Sequence, residues 1–265
     1  VDTKFNQFDI SSFSNFGEDV LSKIRGSASG NVEVSGLLYN PDLNGKLTLN
    51  DAGLKIPYLN VDFDFDKNFT IGFDDKEFIF NSIGVTDVKY KTKGELSGKI
   101  THQSLQEWFL DLNLDSKNLV ALDTEFKEGN LYYGTAFIDG NASISGPTDE
   151  IEINVEAITQ KNTVFKIPLD DSESLGDNSF IYFLSLEDKL SKEAGRKIEL
   201  RDVKGLSLNF DLDITRDAEV EIVVDPESGS TLKGRGAGTL LIEINTNGKF
   251  NMYGDFVAYE GEYNF

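Results

Sequence analysis

The chain has no cysteine, which excludes a disulfide framework and a thiolate metal site. It has one histidine, His102, in the stretch GKITHQS. Without a second imidazole or a thiol, neither a Ser–His–Asp triad nor a zinc site finds its partners. His102 reads as a surface residue in a turn-like context. No apolar run approaches the ~18 residues that a membrane-spanning helix needs, and no signal peptide opens the chain. The first residue is Val1 and the sole methionine is Met252, so the chain reads as a processed or excised piece of something longer. Basic residues are the remaining deficit: 25 Lys and Arg stand against 46 Asp and Glu, a net charge of −21. Such a field repels phosphate backbones and argues against nucleic acid as a partner. It also argues against adsorption to an anionic membrane surface. It leaves open a lipid held by its tails inside a groove.

What is present is a period of two. LSLNFDLDI sets Leu206, Leu208, Phe210, Leu212 and Ile214 against Ser207, Asn209, Asp211 and Asp213. LNVDFDFD, WFLDLNLD, IEINVEA and AEVEIVVD repeat the scheme, with Val220, Ile222 and Val224 as the dry set of the last. Each such strand has one dry face and one wet, mostly acidic face, the signature of an antiparallel sheet covered on one side. NPDLNG, NDAG, IDGN, SGPTDE, DPESGS and NTNG punctuate the runs as turns. Roughly 15–20 short strands are expected at ordinary strand lengths. In a single line they would span roughly 70–95 Å. Helix signals are few: NFGEDVLSKIRG (15–26) and SLEDKLSKEAGRK (185–197) carry early acids, late bases and a terminal glycine. One-faced strands must cover their dry sides in a sandwich, a barrel or a long sheet curled around a groove.

Candidate chemistry is thin. Alternate carboxylates of DFDFD (62–66) would lie about 6.6–6.8 Å apart on a strand. That is too far for two of them to share a calcium at ~2.3–2.6 Å unaided. A solvated outer face is the better reading, and DPESGS reads as an acidic turn. Paired carboxylates for glycoside hydrolysis find no recognisable context. The LYYG tyrosines, Tyr132 and Tyr133, fall on opposite faces and read as ordinary packing. In LKGRGAGTLLIEIN, Gly234, Gly236 and Gly238 run in phase with Leu240, Ile242 and Ile244. This is not a dinucleotide fingerprint, since no helix follows. The glycines leave room on the dry face, either for a close backbone approach or for something lying along the inside.

The segment from ITRDAEVEIVVDPESGS to the end at NMYGDFVAYEGEYNF resembles the C-terminal domain of the TamB family. The resemblance rests on Asp225-Pro226, on Gly234, Gly236 and Gly238, and on Gly248, Phe250, Met252, Tyr253 and Gly254. Gly261, Tyr263 and Phe265 complete it. Phe256 replaces a common tyrosine, and Lys249 is an extra residue before Phe250. Upstream, VSGLLYNPDLNGKLTLNDAGLKIPYLNVDF and the stretch from LYYGTAFIDGNASISG onward look like the AsmA-like repeats of the same family, as in its Bacteroidetes branch. The resemblance implies an all-β fold: an elongated curled sheet, or β-taco, with an open apolar groove and one or two short helices. It implies a leading segment with a short helix (1–35), AsmA-like repeats (36–168), a connecting, partly helical insertion (169–204) and the truncated start of the C-terminal domain (205–265).

It also implies a non-enzymatic periplasmic segment of an envelope-spanning, Gram-negative protein that needs no cofactor and no metal. An anchor in the inner membrane would lie outside this chain. The expected partners are phospholipid acyl chains and a BamA-type outer-membrane barrel (TamA-like). The expected role is phospholipid transport between the membranes, with support for outer-membrane protein assembly. Alternatives are a β-augmentation scaffold without lipid transport, or an extracellular β-sandwich or adhesin. Parity gives the groove residues: Leu206, Leu208, Phe210, Leu212, Ile214, Val220, Ile222, Val224, Gly234, Gly236, Gly238, Leu240, Ile242, Ile244, Phe250, Met252 and Phe256.

Overall fold

A computed structural model describes residues 1–13, 21–127, 132–168, 205–225, 229–245 and 250–264. They form a single curled β-sheet of fifteen strands. In chain order these are β1 (Asp2–Asp9), β2 (Ser22–Leu37), β3 (Asn40–Ile56), β4 (Val61–Phe65), β5 (Phe69–Asp74), β6 (Glu77–Asp87), β7 (Lys93–Gln103) and β8 (Glu107–Thr124). β9 (Tyr133–Pro147), β10 (Glu150–Thr159), β11 (Val164–Pro168), β12 (Gly205–Ile214), β13 (Glu219–Asp225), β14 (Ser230–Asn245) and β15 (Phe250–Asn264) follow. One 3-10 turn, Ile10–Phe13, is the helical element among the described residues.

Alternation of apolar and polar residues makes these segments strands, because only period two puts all the apolar side chains on one side. Three of the strands are continuations of others. β4 and β5 both pair with β3 and β6, one above the other. β10 and β11 share β9 as a neighbour in the same way, and β12 and β13 share β14. Fifteen strands less three continuations leave twelve strand positions. Eleven spacings of ~4.8 Å give a sheet roughly 53 Å long. The expected length was greater because it counted broken strands as separate ones. The strands are also longer than expected, up to 18 residues in β8.

Two expectations are corrected. The helix expected at 15–26 does not extend through Ser22–Gly26, which lie in β2. Its earlier part, and the whole of 185–197, lie outside the described residues. The sheet is not antiparallel throughout: β10 pairs with β12, and β11 with β13, in parallel. Consecutive parallel neighbours require a long crossover, and here residues 169–204 separate them.

The curl has a local cause. Breaks and bulges follow one another from strand to strand. They include shifts beside Arg25 in β2, the gap between β4 and β5, the shift between Phe80 and Ile83, and those flanking Leu119 in β8. The gap between β10 and β11, that between β12 and β13, and the shift at Arg235/Gly236 continue the line. Asp51, Asn68, Ser82, Asn118 and Asn162 take positive φ along it, a conformation that Asn and Asp tolerate best. A bulge bends its strand and adds twist, so a line of them is a crease.

Candidate functional site

Residues paired across neighbouring strands project to the same face of a sheet. Register therefore traces rows across the molecule. One row runs Phe5–Gly30–Leu47–Ile71–Phe80–Gly98–Leu112–Ile144–Ile153–Leu208–Ile244. The backbone of Phe250 continues its register into β15. Every member is apolar or glycine, over all twelve strand positions. The next row runs Ile83–Leu96–Leu114–Ala142–Val155–Phe210–Ile242–Met252. The opposite face carries Ser97–Asn113–Ser143–Asn154–Asn209–Glu243–Asn251, all polar. Its amides are linked to one another, with the Asn209 Nδ2 donating to Asn154 Oδ1 at 2.9 Å. The sheet thus has a continuous apolar inner face and a hydrogen-bonded polar outer one.

The inner face packs into three clusters. Near the start, Ala28, Leu49 and Ala52 are buried, with Leu47, Phe65, Phe69 and Ile71 against them. In the middle, Val61, Phe63, Leu119, Val120 and Phe137 are buried, with Leu114 against them. Toward the end, Leu208, Ile214, Ala218, Leu240, Ile242 and Ile244 are buried. Leu206, Phe210, Leu212 and Phe256 pack on this last cluster, so nine of the residues expected from parity come together there. Ile153 of β10, Phe165 of β11 and Tyr132, just before β9, join them, which alternation within one strand has no means of showing.

The other expected residues are placed differently. Val220 and Ile222 are half-buried, while Val224 and Met252 are exposed by 36% and 41%. On β13 the expected wet set, Glu219, Glu221 and Val223, is the more buried one. Lys166 pairs with Glu221 at 2.7 Å, and Lys233 and Arg235 with Glu219 at 3.1 and 3.3 Å, so basic side chains lie over the carboxylates. The side chain of Phe250 lies outside the description. The glycines decide between the two readings left open. A Cβ on Gly238 would come within 1.8 Å of the Asp255 carbonyl oxygen, and one on Gly236 within 2.2 Å of that of Val257. Both serve the close approach of β15. Gly234 is less closely covered, a Cβ there meeting the Glu260 carbonyl oxygen at 3.3 Å, a snug contact that a small shift relieves.

Polar groups also depart from expectation. His102 is buried, 2% exposed, on the inner face opposite Trp108, with its ring 5.5 Å from Trp108 and 5.8 Å from Phe78. Burial, together with the charge of Lys76, pushes its pKa down. Asp62 and Asp64 of DFDFD are not simply solvated. Arg25 reaches across Gly53 to both, at 2.8 and 2.5 Å, and donates to the Phe63 carbonyl at 2.9 Å. Gly53 makes this possible, since a Cβ there would strike the guanidinium at 2.4 Å.

The middle cluster is bridged from outside. The Asp123 N–H donates to the Leu59 carbonyl at 3.0 Å, and Asn60 Nδ2 donates to the Asp123 carbonyl at 2.6 Å. The carboxylate of Asp123 accepts from Lys89 at 2.5 Å, Tyr90 at 2.9 Å and Thr135 at 3.0 Å. Burial raises its pKa, and these three hydrogen bonds outweigh burial and lower it. Tyr132 donates to the Tyr58 hydroxyl at 3.1 Å beside them.

Among the described residues no group of His, Cys, Asp or Glu side chains could hold a metal, and no helix is long and apolar enough to cross a membrane. The chemistry offered is apolar surface. A family model described as the TamB C-terminal domain matches residues 83–265, from within β6 through β15. No curated protein and no solved structure matches the chain.

Proposed function

The chain belongs to the TamB family of envelope proteins, whose members have a periplasmic part and serve transport and assembly without catalysis, and from that premise we propose that its inner face carries phospholipid by the acyl tails. The observation that carries this reading is the unbroken apolar row from Phe5 to Ile244. A packed core needs apolar clusters. Here the row belongs to one curled sheet, with no second sheet among the described residues to cover it. Each methylene moved from water onto such a surface is worth about 0.8 kcal/mol, so the row replaces the bilayer interior without any catalytic group. Head groups remain in water, which makes selection among them weak. The setting is the periplasm, with the parent protein anchored in the inner membrane.

A second activity, support of outer-membrane protein assembly, is favoured by β15. Among the described residues β15 pairs only with β14, and it exposes Tyr253, Val257 and Tyr259. The family associates with a TamA-type barrel partner, and the apolar side chains exposed on β15 suit contact with a client strand or a barrel seam. Native mass spectrometry of the chain with lipid extraction tests the first activity. Phospholipid at defined stoichiometry, lost in a folded Phe210→Asp, is the expected result. A chain that stays lipid-free after lipid is added back leaves the edge strand as the working surface.

A further inference from the structure

The inner face is not a trough of uniform depth. At its middle, Val61 of β4 and Leu119 and Val120 of β8 are 1%, 2% and 0% exposed. In sheet order β4 and β8 are separated by β6 and β7, so their contact joins two walls rather than two neighbours. Leu114, a member of the second apolar row, packs against the same plug. Any chain lying along that row meets protein here.

We propose that this waist is a gate on the lipid path, latched at Asp123; the proposal rests on the lipid-carrying reading above. Two turns converge on that one residue, one from the far wall and one from the strands between the walls. The β3–β4 turn supplies the Leu59 carbonyl and the Asn60 amide to its backbone. The β6–β7 turn supplies Lys89 and Tyr90 to its carboxylate. Thr135 of β9 holds the same carboxylate from behind. The contact is polar and peripheral, whereas the plug under it is apolar. That is the composition of a latch that can open: the polar groups find water when released, and the plug residues find an acyl chain.

The chain has no native cysteine, so an engineered pair reports cleanly. Asn60→Cys with Asp123→Cys joins positions that already touch, the Asn60 side-chain amide donating to the Asp123 carbonyl. The assay is transfer of fluorescent phosphatidylethanolamine between phosphatidylcholine vesicles, with bound lipid measured in parallel. Oxidised protein should transfer at least about tenfold more slowly than the same protein reduced, the kinetic equivalent of one retained charge-assisted hydrogen bond, while still binding lipid. Tyr90→Phe, which removes one latch bond and keeps the ring on Phe137, should speed transfer. Equal transfer in the oxidised and reduced states, with lipid bound in both, overturns the gate and leaves the groove standing. No bound lipid in either state overturns the groove, and the gate with it.

Discussion

Phe210→Asp is the substitution that weighs the groove most directly. Phe210 lies half-buried on β12, between Val155 of β10 and Ile242 of β14, in the second apolar row. An extended acyl chain lays roughly four methylenes across each ~4.8 Å strand spacing. At about 0.8 kcal/mol each, one strand crossing contributes about 3 kcal/mol to binding. A carboxylate at 210 cancels that crossing, because its hydration shell must stay, and affinity should fall about a hundredfold. The fold loses the burial of one partly covered phenylalanine, about 2–3 kcal/mol, and in addition must hold a carboxylate against the Leu208–Ile242 cluster. The control is Asp211→Asn, one residue on and on the outer face between Glu156 and Leu241. It should change stability by no more than about 0.5 kcal/mol and leave binding alone. Both variants would be titrated with fluorescent phospholipid after melting curves establish that they fold. A folded Phe210→Asp that binds lipid as tightly as the parent chain refutes the groove.

Three further outcomes are expected. Gly238→Ala should loosen β15 from β14 at a cost of about 1–3 kcal/mol, seen as faster amide exchange over residues 254–258, because its Cβ meets the Asp255 backbone at 1.8 Å. Gly234→Ala, with 3.3 Å of room, should leave exchange there nearly unchanged. His102 has a folded pKa below its ordinary 6.5, so the unfolded chain binds the proton more readily. Its contribution to stability should be full above pH 6.5 and lost as pH falls from there to the folded value. His102→Gln should remove that slope from a pH series of denaturation curves. Arg25→Ala should cost about 1.5–3 kcal/mol in urea unfolding by leaving Asp62 and Asp64 on one face with only the more distant Lys23 beside Asp62, and Gly53→Val should cost a similar amount by blocking the guanidinium's path.

Alternation alone determined the fold class and the inner face of β12 and β14. Leu208 and Ile242 have no other way to leave water than together, because period two is a property of the strand and needs no partner. The same signal runs through KLTLN, FTIGF and FIFNSIGV, so Leu47, Ile71 and Phe80 were within its reach as members of the row. Other matters were decided by which strand lies beside which. His102 and Trp108 face each other because the β7–β8 register pairs them, and Glu219 is covered because Lys233 and Arg235 arrive from β14. Gly236 and Gly238 have the same sequence context as Gly234, yet the β15 backbone would press on a Cβ at those two, at 2.2 and 1.8 Å, and stand 3.3 Å from one at Gly234. The latch at Asp123 gathers residues from four separate segments, none with a pattern of its own. Burial along a strand is written in its local period. Contacts between walls depend on where the crease falls, and that is a property of the assembled sheet.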